Sequence, residues 1–284
     1  MFVEVISLYF EGQAKGIILD NAYDVFVRNQ YLKYIEKNSI NYLRCQDVDM
    51  SLLNFFSDIE FITVPEDAEN LEELYKLKKL KGLEISARNL AKLDLACFKE
   101  LEYLVVSDYS KENYSLQSCI RLKHLYLIHS NITSLKNIVV SSKLETIHLD
   151  FCYDLKTLDG IQSFANLNKL VIDYCLKLND VSSLKNISDS IKYLSITDCN
   201  KIQGLLDVLS QLTKLETLHL ATFQTNRVNY LESIKFIESF HNLKSFMTDY
   251  NIKDGDLTPL TKIKEVNILK SYKHYNLKLN FENK

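Results

Sequence analysis

The sequence predicts an α/β solenoid: a curved parallel β-sheet on the concave face, with short helices, 3-10 turns and loops on the convex face. Apolar residues recur at positions 0, +3 and +5 of eleven units that are 19 to 28 residues long. These three positions are called the core positions, and among their 33 residues only Thr248 is not apolar if Cys45 counts as apolar. The units begin at positions 40, 59, 80, 101, 122, 144, 167, 191, 215, 243 and 263. A periodic chain of this kind indicates a repeat array rather than a set of globular domains.

The stretch from Leu144 to Leu155 shows the pattern in one unit. Leu144, Ile147 and Leu149 occupy the core positions, and Cys152 follows at +8. Successive side chains of a strand point to opposite faces, so the residues at +3 and +5 share one face. One strand cannot bury them alone, and stacking of successive units is expected to form one continuous core.

The residues before Ile40 do not fit the pattern cleanly. FVEVISLYF and KGIILD are predicted to be two short strands, and DVFVRNQYLKYIEKN a helix. We interpret residues 1–39 as a capping unit, because a repeat array needs its hydrophobic end covered. Residues 40–271 are the predicted array, and residues 272–284 a C-terminal cap or tail. Alternation of Leu277, Leu279 and Phe281 predicts a closing strand there.

The segments that return the chain from one strand to the next are of two kinds. LDGIQSFANL, VSSLKNISDS and LTPLTKI are predicted to be short turns or 3-10 helices. NYLESIKFIESFHNL is predicted to be an α-helix, because Tyr230, Ile234 and Ile237 have the spacing of one helical face.

Composition indicates a soluble, cytoplasmic protein. The chain is 46% hydrophobic and 25% charged, and no segment has the roughly 18 continuous apolar residues of a membrane span. The first residues lack the basic region and small-residue cleavage site of a signal peptide. The net charge of -3 does not favour nucleic acid. Neither a membrane nor a cofactor is expected.

The six cysteines are expected to be reduced thiols. Cys152, Cys175 and Cys199 occupy the +8 position of three consecutive units, where we expect them to be buried at the bend after the strand. A metal ladder is the alternative, but spacings of 23 and 24 residues resemble no tight pair of cysteine ligands.

LKHLYLIHSNITSLKNI and LETLHLATFQTN resemble units of leucine-rich repeat proteins, and segments such as LTPLTKIKEV are similar to the short bacterial internalin-like and SDS-type repeats. The resemblance covers about Ile40 to Ser271. The sequence departs from the family at +8, where the asparagine is kept only at Asn251. Cys152, Cys175 and Cys199 replace it in the middle of the chain, and Arg88, Tyr109 and Phe223 elsewhere.

The resemblance implies that the concave sheet face holds another macromolecule through positions +2, +4, +6 and +7, called here the outward positions. These 44 positions hold four of the six histidines, where about one is expected from their share of the chain, and nine acids against three bases. Acids and aromatic residues on a rigid wall suit a basic protein partner. The candidate partner-binding residues are Tyr103, Asp108, His124, Tyr126, His129, His148, Asp150, Phe151, Asp173, Tyr174, Tyr193, Asp198, His219, Asp249 and Tyr250.

Two other interpretations of these residues are open. A solvated sheet face is polar in any case, and an Asp at the end of a strand commonly caps the next turn. His148, Asp150 and His129 also suggest metal ligands or an acid–base set, but no hydrolase or phosphate-loop motif accompanies them. The sequence therefore predicts no catalytic, metal or cofactor residues.

The predicted function is a non-enzymatic protein-binding solenoid, monomeric when unbound. Its leading form is an intracellular bacterial inhibitor or immunity-type protein that sequesters a basic partner such as a toxin domain. The alternatives are an adaptor or effector that binds a host or signalling protein, and a metal-dependent hydrolase that uses His148 and Asp150.

Overall fold

A computed structural model describes residues 4–6, 9–10, 12–20, 25–46, 49–110, 116–140, 142–223 and 228–277. The chain divides into two units. Unit 1 comprises Met1–Ile128 and Val139–Leu144, and unit 2 comprises His129–Ile138 and Glu145–Lys284. Within each unit, strands that follow one another in the chain are neighbours in a mainly parallel sheet. The predicted closing strand, with Leu279 and Phe281, falls on residues outside the described part.

The described residues of unit 1 contain seven strands and two α-helices, besides the 3-10 helices given below. The strands are β1 (Glu4–Ile6), β2 (Lys15–Leu19), β3 (Tyr42–Cys45), β4 (Phe61–Thr63), β5 (Gly82–Ser86), β6 (Tyr103–Ser107) and β7 (His124–Ile128), and the helices are α1 (Val25–Asn38) and α2 (Ala87–Leu90). β1 is antiparallel to β2, whereas β2 to β7 pair in parallel. The two N-terminal strands and the first helix confirm the prediction for these segments.

The repeat pattern begins earlier than the sequence analysis placed it. Ala14, Ile17 and Leu19 have the spacing 0, +3 and +5, and all three are buried. Ile17 is the register partner of Leu43, which is the +3 residue of the next unit. β2 is therefore built like the strands of the array at +3 and +5, whereas Ala14 belongs to a buried cluster with Phe10 and Tyr42.

The described residues of unit 2 contain the remaining strands and one short α-helix, besides the 3-10 helices given below. The strands are β8 (Thr146–Asp150), β9 (Lys169–Asp173), β10 (Tyr193–Thr197), β11 (Thr217–Ala221), β12 (Tyr230–Leu231), β13 (Ser245–Thr248), β14 (Asn251–Ile252) and β15 (Glu265–Ile268), and the helix is α3 (Leu205–Leu209). β8, β9, β10, β11, β13 and β15 form the main sheet in that order, and β12 pairs with β14 in a second, two-stranded sheet.

The residues at the core positions form the interior of each unit. All 33 are buried except Ile263 and Val266, which are partly buried. Thr248, the polar exception, is fully buried, and its Oγ1 accepts a hydrogen bond from the backbone N–H of Tyr250 at 3.0 Å. Cys152, Cys175 and Cys199 are buried free thiols, as predicted, and the Cys175 Sγ lies 3.5 Å from the carbonyl oxygen of Asp173.

Short 3-10 helices return the chain between strands. They are Met50–Phe55, Leu71–Lys76, Leu95–Cys97, Leu116–Ser118, Ile161–Ser163, Ser182–Ile187, Lys235–Ser239 and Thr258–Lys262. The three predicted turn or 3-10 segments are thereby confirmed. The α-helix predicted for NYLESIKFIESFHNL is wrong. Tyr230 is exposed and pairs with Asn251 as part of β12, so the helical segment is the five-residue 3-10 helix that follows.

Position +1 carries a ladder of alternating charges on the exposed side of the strands. In unit 1 the Lys81 Nζ lies 2.8 Å from Glu60, and the Lys123 Nζ lies 3.2 Å from Glu102. In unit 2 Glu216 pairs with both Lys192 and Lys244. Exposed pairs of this kind contribute little to stability, because water and salt screen them. Their main importance here is that these carboxylates already have a basic neighbour.

Candidate functional site

The residue at +7 has an unusual backbone conformation in consecutive repeats. Asp108, His129, Phe151, Tyr174 and Asp198 all have φ between 51° and 57°, in the left-handed region that non-glycine residues seldom adopt. The N–H groups of His129, Phe151 and Tyr174 donate to the carbonyl oxygens at +6 of the next repeat, at 2.9–3.0 Å. Ladder hydrogen bonds therefore continue one residue past the strand and hold these residues in place.

Because the backbone repeats, the side chains at +7 of unit 2 stack. The rings of His129 and Phe151 are 4.9 Å apart with an interplanar angle of 19°, and those of Phe151 and Tyr174 are 4.7 Å apart at 12°. The spacing between strands, about 4.8 Å, is also a spacing at which aromatic rings stack. Tyr153 packs edge-on against Phe151 at 5.9 Å. The result is a rigid aromatic row at the ends of the strands.

Two carboxylates lie next to this row. Asp150 and Asp173 are register partners on β8 and β9. The Asp173 Oδ2 accepts a hydrogen bond from the His148 Nε2 at 2.9 Å, and its Oδ1 accepts one from the Thr197 hydroxyl. Burial raises the pKa of Asp150, an effect that nearby His148 opposes and nearby Asp173 reinforces. His129, His148, Asp150, Phe151, Asp173 and Tyr174 are called here the acidic–aromatic face.

The acids of this face differ in their partners from the acids at position +1. Glu60, Glu102 and Glu216 each contact a lysine. Among the described residues, no lysine or arginine lies within ion-pair distance of Asp150 or Asp173, and the side chain that contacts the Asp173 Oδ2 is the imidazole of His148. The negative charge at Asp150 and Asp173 is therefore not offset by a lysine or arginine of the described chain.

A second contact extends along the same sheet. The Tyr193 hydroxyl lies 3.3 Å from the His219 Nδ1, and the two rings meet edge to face. Burial lowers the pKa of His219. Lys169 places its Nζ 5.5 Å from the centre of the Tyr193 ring, so a basic side chain lies beside this contact.

Three predicted partner-binding residues of unit 2 are buried, and the expectation that they are exposed is wrong. Asp198 is fully buried and accepts a hydrogen bond from the Phe223 N–H at 3.3 Å. Asp249 accepts one from the Thr222 N–H at 2.7 Å and pairs with Lys270. Burial raises the pKa of Tyr250 to about 12. These side chains hold the loops that follow the strands.

The same expectation is wrong for three residues of unit 1. Tyr103, His124 and Tyr126 are buried, although they occupy outward positions. Tyr103 stacks on His124 at 4.2 Å and contacts the Phe10 ring at 6.2 Å, and Tyr126 packs edge-on against Tyr9 at 5.7 Å. Residues near the N-terminus therefore cover this part of the sheet. Asp108 remains exposed.

Sequence reasoning missed two residues that shape the acidic–aromatic face. The Thr197 hydroxyl donates a hydrogen bond to Asp173. Thr197 occupies position +6 of the repeat after that of Asp173, so the repeat pattern could have predicted that the two are neighbours. Tyr153 lies at +9 in the following turn, and no position in the repeat pattern marked it.

The described residues contain no group of three or more His, Cys, Asp or Glu side chains arranged to hold a metal ion. Within the same part of the chain, no helix is both long and apolar enough to cross a membrane.

No protein-family model matches the chain. A probable disease resistance protein of Arabidopsis thaliana is 26% identical over 223 residues, which is 67% of this chain and 52% of that protein. A chain of the Drosophila Toll–Spätzle complex is structurally similar, with a TM-score of 0.60, 13% identity, and coverage of 89% of this chain and 36% of that one. A chain of the TLR13–ssRNA13 complex is also structurally similar, with a TM-score of 0.55 and 17% identity. The match covers 80% of this chain and 34% of that one.

The chain has a leucine-rich repeat fold. At these identities the similarity establishes the fold alone, and the chain spans about half of the similar Arabidopsis protein and about a third of each similar solved chain. Leucine-rich repeat solenoids use extended surfaces for binding. The internalin-like subclass stays a prediction.

Proposed function

We propose that this protein is a binding solenoid whose acidic–aromatic face takes a basic segment of another protein. The observation that carries the proposal is the pair Asp150 and Asp173, whose charges have no lysine or arginine neighbour among the described residues. A cationic side chain from a partner supplies that missing charge. The proposed role is binding without catalysis.

Burial strengthens the electrostatic part of this proposal. Asp150 and Asp173 are only partly exposed, so a cation that reaches them is screened less than one at an open surface. Burial disfavours the charged form of Asp150, as its raised pKa shows, and an approaching cation relieves that cost.

The aromatic row supports the proposal in a different way. His129, Phe151 and Tyr174 are fixed by stacking and by their backbone hydrogen bonds, so little side-chain entropy is lost when a partner packs on them. Rigid aromatic side chains are frequent anchors in protein interfaces. The row presents the edges of its rings, which suit the aliphatic stems of lysine and arginine side chains.

The test measures binding of a fluorescein-labelled octa-arginine peptide by fluorescence anisotropy. The double variant Asp150→Asn with Asp173→Asn keeps the shape of both side chains and removes two charges. We expect its affinity for the peptide to fall about tenfold or more, because close charge pairs contribute strongly to binding.

The matched control is Asp189→Asn with Glu238→Gln, which removes two charges from exposed positions on return segments of unit 2. We expect the control to change affinity less than about twofold, since isolated exposed charges contribute little. Equal losses in the two double variants, or no binding by the wild-type protein, would refute the acidic–aromatic face as the site.

For the identity of the partner, we propose an inhibitor or immunity-type role, in which an intracellular bacterial protein sequesters a basic protein such as a toxin domain. The acidity of the face supports this role. Co-expression with a candidate basic toxin is expected to restore growth with the wild-type protein but not with the Asp150→Asn, Asp173→Asn variant.

A second candidate is an adaptor or the recognition part of a larger signalling or resistance protein. Similarity to about half of a probable disease resistance protein favours it. A partner recovered through the same face that is itself a signalling protein rather than a toxin would select this candidate.

A further inference from the structure

Two exposed apolar side chains lie at the edge of the acidic–aromatic face. Tyr153 is 45% exposed and Leu176 is 37% exposed, and they occupy position +9 in the turns that follow β8 and β9. The other described residues at +9 are polar or buried, apart from the partly exposed Tyr272. Well-exposed apolar side chains at +9 are therefore a feature of these two repeats within the described chain.

The two turns have the same shape and follow the aromatic row directly. In the first turn the Tyr153 N–H donates to the Phe151 carbonyl oxygen at 2.9 Å, and in the second the Leu176 N–H donates to the Tyr174 carbonyl oxygen at 3.1 Å. The rings of Phe151 and Tyr174 stack on each other. The positions of Tyr153 and Leu176 are thus fixed by backbone bonds to two residues that are themselves in contact.

The residues that follow at +10 also contact each other across the two turns. The Lys177 Nζ lies 2.5 Å from the Asp154 Oδ1. Because positions +7 and +10 of the two repeats are in contact, Tyr153 and Leu176 between them are neighbours as well. The same ion pair shows that the lysine beside Leu176 has an acidic partner of its own.

Three positions of the repeat combine in the units that begin at Leu144 and Leu167. Position +6 holds the two acids without a lysine or arginine neighbour among the described residues, position +7 holds stacked rings, and position +9 holds the exposed apolar side chains. In the unit that follows, these positions hold Thr197, the buried Asp198 and Asn200. Negative charge and exposed apolar surface are thus found together in two adjacent repeats.

The apolar surface at this edge is continuous with the aromatic row. The Tyr153 ring lies 5.9 Å from the Phe151 ring and 6.4 Å from the His129 ring. Exposed apolar side chains that stand singly are ordinary on protein surfaces, whereas contiguous ones mark sites of interaction. The charge of Asp150 and Asp173 beside this surface indicates that its occupant is basic.

We propose that the acidic–aromatic face selects a segment of a partner protein in which a lysine or arginine is accompanied by leucine or another large apolar side chain. The basic side chain lies at Asp150 and Asp173, and the apolar one covers Tyr153 and Leu176. This inference rests on the proposed function, which requires the basic side chain alone. Burial of apolar surface adds affinity that a purely basic segment does not gain.

The test compares two fluorescein-labelled peptides of equal charge, RRLLRRLL and RRSSRRSS, by fluorescence anisotropy with the full-length protein. We expect the wild-type protein to bind the leucine peptide about tenfold or more tightly than the serine peptide, because only leucine buries apolar surface. In the double variant Tyr153→Ser with Leu176→Ser, we expect this preference to fall below about threefold, with the affinity for the serine peptide changed by less than about twofold.

The matched control is Ile120→Ser with Val139→Ser, which removes two exposed apolar side chains from unit 1. We expect this control to keep the wild-type preference for the leucine peptide. Melting temperatures from circular dichroism should be similar for the wild-type protein and both double variants, because all four substitutions are at exposed positions.

The outcomes separate this inference from the proposed function. Equal binding of the two peptides, both weakened by Asp150→Asn with Asp173→Asn, would overturn the inference and leave the proposed function standing. Binding of neither peptide would overturn both. A preference for leucine that survives in Tyr153→Ser with Leu176→Ser would also overturn the inference. A wild-type dimer in sedimentation velocity that this variant lacks would make a second copy of the chain the occupant, and would overturn it too.

Discussion

At the scale of single residues, the aromatic row combines backbone strain with side-chain stacking. Phe151 is held in the left-handed region at φ 51°, which costs a non-glycine residue about 1–2 kcal/mol. Its two stacks, on His129 and Tyr174, contribute about 0.5–1.5 kcal/mol each beyond the area they bury. Stacking thus offsets the strain, and a bulky ring is tolerated where glycine or asparagine is the usual residue.

Phe151→Ala removes the middle ring and keeps the strained backbone. We expect the free energy of unfolding to fall by about 1–3 kcal/mol, because both stacks are lost while the left-handed conformation remains. Urea denaturation followed by circular dichroism measures the loss. Phe223→Ala, at an exposed phenylalanine, is the matched control and is expected to change stability by less than about 0.5 kcal/mol. A similar loss of unfolding free energy in Phe151→Ala and Phe223→Ala would show that the stacked rings do not stabilise the fold.

Asp150→Asn tests whether the face carries charge at a cost in stability. Burial raises the folded pKa of Asp150 above its unfolded value, so the folded protein holds this proton more tightly. The stability gained from this tighter proton binding is fully present below the unfolded pKa. It is lost as the pH rises through the folded pKa. At neutral pH the charged Asp150 therefore destabilises the fold.

We expect Asp150→Asn to raise the melting temperature at pH 7, and the gain to shrink as the pH is lowered through the raised folded pKa of Asp150. Differential scanning calorimetry across this range measures it. Asp189→Asn, at an exposed carboxylate, is the control. A lower melting temperature for Asp150→Asn at pH 7 contradicts the expectation.

Residue-level prediction from sequence succeeded where a position in the repeat fixes the direction of a side chain. His148, Asp150 and Asp173 were placed together because they occupy outward positions of neighbouring strands, and the structure brings them together. It failed for Asp198 and Asp249, because both carboxylates are buried and each accepts a hydrogen bond from a backbone N–H of the loop after β11. The spacing of residues within the repeat contains no information about that loop.

At the scale of elements, the strands were predictable and one return segment was not. The spacing 0, +3 and +5 predicts the strands of the main sheet from β3 to β15 but not β12 and β14, and the spacing of Tyr230, Ile234 and Ile237 wrongly predicts an α-helix. The buried residues Leu231, Ile234, Ile237, Phe240 and Leu243 are in fact three apart. A period of three is that of the 3-10 helix, which is the return element observed.

Leu170→Ala tests the core of one strand. Leu170 is completely buried at the +3 position of β9, between its register partners Ile147 and Leu194. Deletion of a buried leucine side chain beyond Cβ costs about 2–5 kcal/mol. We expect Leu170→Ala to lower the free energy of unfolding by that amount in urea denaturation, and Leu170→Asp to lower it further.

The control for Leu170→Ala is its neighbour Val171, whose side chain points to the opposite, outward side of β9 and is only partly buried. We expect Val171→Ala to cost less than about 1.5 kcal/mol, since less apolar surface is exposed by the change. A larger loss for Val171→Ala than for Leu170→Ala would mean that the two faces of β9 have been exchanged.

At the scale of the whole molecule, equivalent positions of the repeat have different surroundings. The repeat pattern predicts one exposed face for all outward positions, yet those at Tyr103 and Tyr126 are covered by residues near the N-terminus. Repeat spacing describes how neighbouring strands align, and it contains nothing about a chain segment that folds over them. Gly82 among the aromatic residues at +2 was the available signal, because a missing side chain there leaves room for a ring.

The net charge of -3 is small, so the long-range field of the molecule is weak and binding of a cationic partner depends on the local pair Asp150 and Asp173. The Debye length falls from about 10 Å at 0.1 M salt to about 3 Å at 1 M, so this local attraction weakens as salt is added. We therefore expect the affinity for octa-arginine to fall steadily between 0.05 and 0.5 M sodium chloride.

The same titration separates the charges from the aromatic row. Asp150→Asn with Asp173→Asn should give a flatter dependence of the logarithm of affinity on the logarithm of salt concentration, because fewer charges are paired. Phe151→Ala should lower affinity at every salt concentration and leave the slope unchanged, because apolar contact is not screened. Anisotropy titrations at five salt concentrations measure both slopes. Identical slopes for wild type and the double Asn variant would place the attraction somewhere other than the acidic–aromatic face.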